Sequence, residues 1–123
     1  MSVLFNPTAL VVPFENLRMS DVDSVGGKNA SLGEMISQLP AGVSVPTGFA
    51  TTAHAFRLFL QQEHLGQRIE QALKDLDSEN ISALNATGTA IRSWIMNQAF
   101  PQALELEIRQ AFETLNAGAK TAS

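Results

Sequence analysis

At 123 residues, with a formal net charge of -4, 45% hydrophobic and 16% charged side chains, the chain has the makeup of one globular domain, or part of one, with a modest core. Its acid excess and lack of a basic stripe give general nucleic-acid binding no electrostatic footprint, and the absence of cysteine excludes disulfides and thiolate metal sites. No apolar run approaches the ~20 residues of a membrane helix and no basic-then-apolar segment opens the chain, so the expectation is a soluble cytoplasmic protein with neither nucleic acid nor membrane as a partner.

In chain order, residues 1–8 show no periodicity and are expected to be flexible. Ala9 to Phe14 is short, apolar and β-branched, and its Pro13 predicts a brief strand that stops there. Asn16 to Ser24, with Asp21 and Asp23, reads as a loop or short turn; two acids without a third ligand are assigned no metal. Leu32, Met35, Ile36 and Leu39 fall at i, i+3, i+4 and i+7, one apolar face of a helix that begins close to Lys28, with either Asn29 or Ser31 as its N-cap, the latter boxed by Glu34. Pro40-Ala41-Gly42 stops it. Val43 to Val45 alternates as a short strand, Pro46 to Phe49 turns, and Phe49 to Thr51 extends again.

From Thr52 the pattern is helical. Thr52 caps a helix with Ala53, Phe56 and Leu60 on one face and Phe59 beside them, ending near Gly66. Ile69, Leu73 and Leu76 mark the next, which Asp77-Ser78-Glu79-Asn80 breaks while capping a longer one with Ile81, Leu84, Gly88, Ile91 and Ile95 in a stripe. Phe100-Pro101 starts the last, with Leu104, Ile108, Ala111, Phe112 and Leu115 on its apolar side. Phe56, Phe59 and Phe112 are expected in the core, and Arg57, Arg68, Arg92 and Arg109 in solvent. Residues 116–123 carry no stripe and are expected to form a flexible tail. The fold class is α+β, mostly helical, with about five helices and a few short strands.

Chemistry concentrates at Val25-Gly26-Gly27-Lys28. Adjacent glycines let a ligand approach the backbone, and the first N–H groups of the following helix lack intrahelical partners and favour an anion. Lys28 is the sole Lys or Arg between Met19 and Phe56, and it stands at the positive end of a helix dipole, where a cation is unfavourable unless an anion joins it. The pattern is not a Walker A loop: Val22 stands where that motif needs glycine and Asn29 where it needs Ser or Thr. A Gly-Gly turn with a solvated lysine is the plainer alternative.

Gly26 to Met35, followed at this spacing by Val45-Pro46-Thr47-Gly48-Phe49-Ala50-Thr51-Thr52, resembles the opening of the nucleotide-binding domain of the pyruvate phosphate dikinase family. The resemblance runs from about Val11 to Leu115. It implies that 9–115 is the N-terminal portion of an ATP-grasp-like ATP-binding domain, that Lys28 contacts ATP phosphates, and that Gly26 and Gly27 let the backbone approach them. It further implies ATP with Mg²⁺, the Mg²⁺ ligands lying outside this chain, and pyruvate handled through downstream domains of the same polypeptide. The family works through a phosphorylated histidine in a separate domain, and neither His54 nor His64 stands in a matching motif. The chain alone is therefore expected to be inactive. Relatives with a different final phosphate acceptor remain open, as does a non-enzymatic helical interaction module from another class.

Overall fold

The structure is a computed structural model. It describes residues 4–122, and the side chains of 4–117. The expected flexibility of residues 1–3 and of Ser123 lies outside the described residues.

Two strands, β1 (Val11–Pro13) and β2 (Phe49–Thr51), pair antiparallel, with Val12 opposite Ala50. The ladder continues on both sides: Phe14 N–H donates to Gly48 O (2.9 Å) and Thr52 N–H to Leu10 O (3.1 Å). Among the described residues the chain also forms five helices of 9 to 21 residues and one single-turn helix: α1 (Val22–Val25), α2 (Gly27–Ser37), α3 (Ala53–Gln61), α4 (Leu65–Lys74), α5 (Ile81–Asn97) and α6 (Gln102–Ala122). The mostly helical α+β expectation stands. Val43–Val45, expected as a strand, is not one: Val43 N–H closes a turn onto Pro40 O (3.2 Å), and the extended backbone comes at Phe49–Thr51, where β1 offers a partner.

The chain divides into two compact units, 1–56 with 102–123, and 57–101. In the first, Val12, Leu17, Val25, Ala30 and Ala50 form one buried cluster, with Phe5, Ala9 and Phe14 packed partly against it. Phe5 is thus tied down within the segment expected to be flexible, and Asn6 Oδ1 accepts from Thr8 N–H (2.8 Å) in a local turn. The stretch at 16–24, expected as a loop or short turn, lies in a series of short helical turns, 3₁₀ at Phe14–Asn16 and Met19–Asp21 and then α1. α2 packs on both 3₁₀ turns, and α6 on β1.

The buried face of α2 is Ala30 and Gly33, not the Leu32–Met35–Ile36–Leu39 stripe; Met35 is 50% exposed. Small side chains win because the neighbouring backbone comes so close. A Cβ on Gly33 would press on the Leu17 Cβ and lie 2.6 Å from Leu17 O and 2.7 Å from Phe14 O. Likewise the stripe of α3 is turned: Ala55 and Phe59 are buried, whereas Phe56, expected in the core, is exposed. Phe112 of α6 is exposed too, while Leu104 of the same helix is buried. Thr52 does cap α3, its Oγ1 accepting from Ala55 N–H (3.1 Å) and donating to Ala9 O (2.7 Å), which ties the helix start to the approach to β1. α6 runs on to Ala122, past Leu115 where the stripe ends, through a sequence with no proline and several of the strongest helix former, alanine.

In the second unit, α3 ends at Gln61, earlier than Gly66. Glu63 and His64 both take left-handed φ values, 51° and 59°, and turn the chain into α4. Of the segment Asp77–Asn80 expected to cap α5, Asn80 is the cap, Ala83 N–H donating to its Oδ1 (3.0 Å). Phe59 meets Phe100 edge to face at 5.9 Å, and Arg68, exposed as expected, also lies over the Trp94 ring at 4.8 Å.

Candidate functional site

The corner between α1 and α2 is made by Gly26, whose φ of 85° and ψ of 161° are open to glycine alone among the ordinary residues. Gly26 N–H closes α1 onto Val22 O (2.8 Å), and Gly26 O accepts the first bond of α2, from Ala30 N–H (3.1 Å). The N-cap is therefore Gly26, and neither Asn29 nor Ser31 fills that role. Asn29 sits in the first turn and reaches back, Nδ2 donating to Val25 O (2.8 Å), and Ser31 Oγ donates to Met19 Sδ (3.5 Å). Glu34 boxes no cap either. Its carboxylate accepts from Met19 N–H (3.2 Å), Gln38 Nε2 (2.9 Å) and Ser37 Oγ (3.1 Å), clasping α2 to the second 3₁₀ turn. The Met19 N–H first, then Gln38, hold it below the usual carboxylate range.

What remains at the start of α2 is an exposed, unfilled set of donors. With the first intrahelical bond made by Ala30, helix geometry leaves the N–H groups of Gly27, Lys28 and Asn29 without intrahelical acceptors, no side chain caps them, and no acid stands in that turn. Lys28 is exposed and forms no ion pair among the described residues. A Cβ on Gly26 or Gly27 would meet nothing within 4 Å. The two glycines thus differ: the backbone angle demands the first, while nothing in the fold demands the second. Both flank open space above a dipole's positive end, a setting that fits a phosphate group.

Near this corner lies Asp21, to which the sequence reading assigned no metal and no other role. Asp21 is 2% exposed, its Oδ2 accepting from Arg18 N–H (2.8 Å), while Oδ1 has no donor among the described residues. The signal was present in the Arg18-to-Asp21 spacing of three, which suits an acid reaching back to a helix start. Among the described residues no three His, Cys, Asp or Glu side chains gather as a metal site. His54 is half-buried on α3, and His64 lies at the left-handed start of α4 beside Leu60, Gln61, Gly66, Gln67 and Glu70, which line an open cleft of about 500 Å³.

The family model described as "Pyruvate phosphate dikinase, AMP/ATP-binding domain" matches residues 22–123, beginning four residues before Gly26. The chain is 57% identical over 109 residues to the phosphoenolpyruvate synthase of Pseudomonas aeruginosa, 54% over 110 to that of Neisseria meningitidis and 50% over 115 to that of Escherichia coli. These alignments cover 88%, 89% and 93% of this chain but 14% of each relative, so the chain spans about a seventh of the length of the proteins it matches. On the match across 22–123, the chain belongs to the pyruvate phosphate dikinase AMP/ATP-binding domain family.

Proposed function

We propose that this chain serves as the opening part of the ATP-binding domain of a pyruvate, water dikinase, the phosphoenolpyruvate synthase reaction. The whole enzyme would convert pyruvate, ATP and water to phosphoenolpyruvate, AMP and phosphate through a phosphohistidine. This chain's share is positioning and charge: Lys28 neutralises ATP phosphate oxygens, the free N–H groups of the first turn of α2 donate to them, and Gly26 and Gly27 admit them to the backbone. The observation that carries the reading is Lys28 itself, a cation with no ion pair among the described residues, in the first turn of a helix that no side chain caps. On this reading the cations of Mg²⁺-ATP take their protein ligands from elsewhere in the polypeptide. A cytoplasmic, gluconeogenic role fits the metabolic relatives, and no described helix is long and apolar enough to cross a membrane.

Magnitudes set what the isolated chain can do. A hydrogen bond to a charged group contributes about 1.5–3 kcal/mol and a helix terminus about 0.3–1, whereas a millimolar complex needs about 4.1. The isolated chain is expected to bind ATP at millimolar affinity or weaker and to catalyse nothing. In an NMR titration, ATP moves the amides of Gly26 to Ser31, and Lys28→Ala abolishes the movement. Micromolar binding, or binding indifferent to Lys28→Ala, overturns the reading. In the longer polypeptide, AMP and phosphate formed from pyruvate and ATP without added phosphate separate this reaction from that of pyruvate, phosphate dikinase, which consumes phosphate.

A further inference from the structure

The turn between α3 and α4 is made by two successive residues in the left-handed region, Glu63 (φ 51°, ψ 32°) and His64 (φ 59°, ψ 28°). Side chains other than those of Asn and Asp rarely accept that backbone, and it is visited singly rather than in pairs. Both side chains are exposed, and neither makes a hydrogen bond or an ion pair among the described residues, so nothing at the corner itself offsets the strain. What holds the bend lies beside it. Leu65 is fully buried, its N–H donates to Gln62 O, and the Gly66 backbone comes so near α3 that a Cβ there would stand 3.3 Å from Leu60 O. Strain at two residues and burial of one leucine are free energies of similar size and opposite sign.

The sequence also suits a second shape. From Ala53 to Lys74 there is no proline, Gly66 is the sole glycine, and Gln61, Gln62 and Glu63 are good helix formers. Leu58, Gln62, Leu65, Ile69 and Ala72 follow at intervals of 4, 3, 4 and 3, each at least partly buried, so one helical register passes through the corner without a change of phase. We propose that the 62–65 corner is a two-state device: the bent state described above, and a straight state in which α3 and α4 join as one helix from Ala53 to Lys74. Straightening relieves the left-handed pair and gives up the packing of Leu65 and Gly66. It also removes a binding-sized space. On a straight helix residues six apart, such as Leu60 and Gly66, stand about 240° round the axis and about 9 Å along it, and a single helix has no concave face. The cleft of about 500 Å³ beside Leu60, His64 and Glu70 therefore belongs to the bent state alone. The device is independent of the phosphate corner, and the ATP titration does not bear on it.

The chain has no cysteine, so Arg57→Cys with Lys74→Cys places two nitroxide labels at exposed positions on either side of the corner. Double electron–electron resonance reads the distance between them: a backbone separation of about 25 Å in the straight state, at about 1.5 Å per residue, and a shorter one in the bent state. Alanine at both 63 and 64 favours the helix, whereas glycine at both accepts the left-handed backbone and disfavours the helix. The ratio of long to short distance is expected to be at least about tenfold higher in the alanine pair than in the glycine pair. Leu65→Ala, which removes the anchor of the bend, is expected to raise the ratio as well, and the comparison of the two pairs does not depend on that variant remaining folded. Equal ratios in the alanine and glycine pairs overturn the proposal, as does a short distance alone in the unaltered corner and the alanine pair alike.

Discussion

The two units of this chain are held together by different means. In the first, a two-stranded ladder places Val12 and Ala50 against Leu17, Val25 and Ala30, and glycine at 33 brings α2 onto the backbone of a 3₁₀ turn. Buried apolar side chains in the second come down to Phe59 and Leu65, with an aromatic edge contact and an arginine over a tryptophan beside them. Burial of apolar area is the main favourable term in folding. The first unit is therefore the rigid frame, and it carries the Gly26–Lys28 corner. The second presents surface.

The contrast breaks most visibly under truncation. Leu17→Ala removes a fully buried side chain and is expected to cost about 2–5 kcal/mol, whereas Leu84→Ala on α5 changes the stability of the isolated chain by no more than about 0.5 kcal/mol. Urea denaturation of the two variants checks this. A large loss from Leu84→Ala would mean that this half-exposed side chain is held by packing within the chain after all.

How far this division was legible in the sequence depends on what each element has to satisfy. Capping was readable at Thr52 and, to within the four residues 77–80, at the start of α5, because a hydroxyl or amide three residues before a free N–H is a local chemical fact. Strand β1 was readable because Pro13 ends it. The faces of α2 and α3 were not. Periodicity marks the largest apolar residues, but packing chose the smallest at Ala30, Gly33 and Ala55, where close approach of backbone decides. The same preference for backbone satisfaction hid the cap of α2: Asn29 and Ser31 are good capping types, yet Gly26 holds that position and Asn29 bonds backwards to Val25. The lysine and the two glycines were legible as a group, since their composition alone sets a cation and open backbone at a helix start.

The glycine pair sharpens the distinction between frame and site. Gly26→Ala forces a side chain into a backbone conformation that L residues avoid and is expected to cost about 1–3 kcal/mol. Gly27→Ala meets no atom and should leave stability within about 0.5 kcal/mol, while crowding the space above the first turn and weakening ATP binding. Thermal denaturation and the NMR titration, run on both variants, read the two effects separately. Gly27→Ala with unaltered ATP shifts would remove Gly27 from the site.

The smallest effect comes from the clasp between Glu34 and the second 3₁₀ turn. Met19 N–H and Gln38 favour the charged carboxylate in the folded chain, so its pKa there lies below the value it has when unfolded. A carboxylate lowered in this way stabilises the fold fully above the ordinary carboxylate range, and the contribution disappears as pH falls through the lowered folded-state value. Glu34→Gln keeps an oxygen for Met19 N–H but removes the charge, so the wild-type protein should melt slightly higher than the variant at about pH 7 and the gap should close towards about pH 3. The other carboxylates titrate in both proteins, which leaves the change in the gap to Glu34. A gap that stays constant across this range would mean that the clasp works through hydrogen-bond geometry alone, and that charge plays no part in joining α2 to the frame.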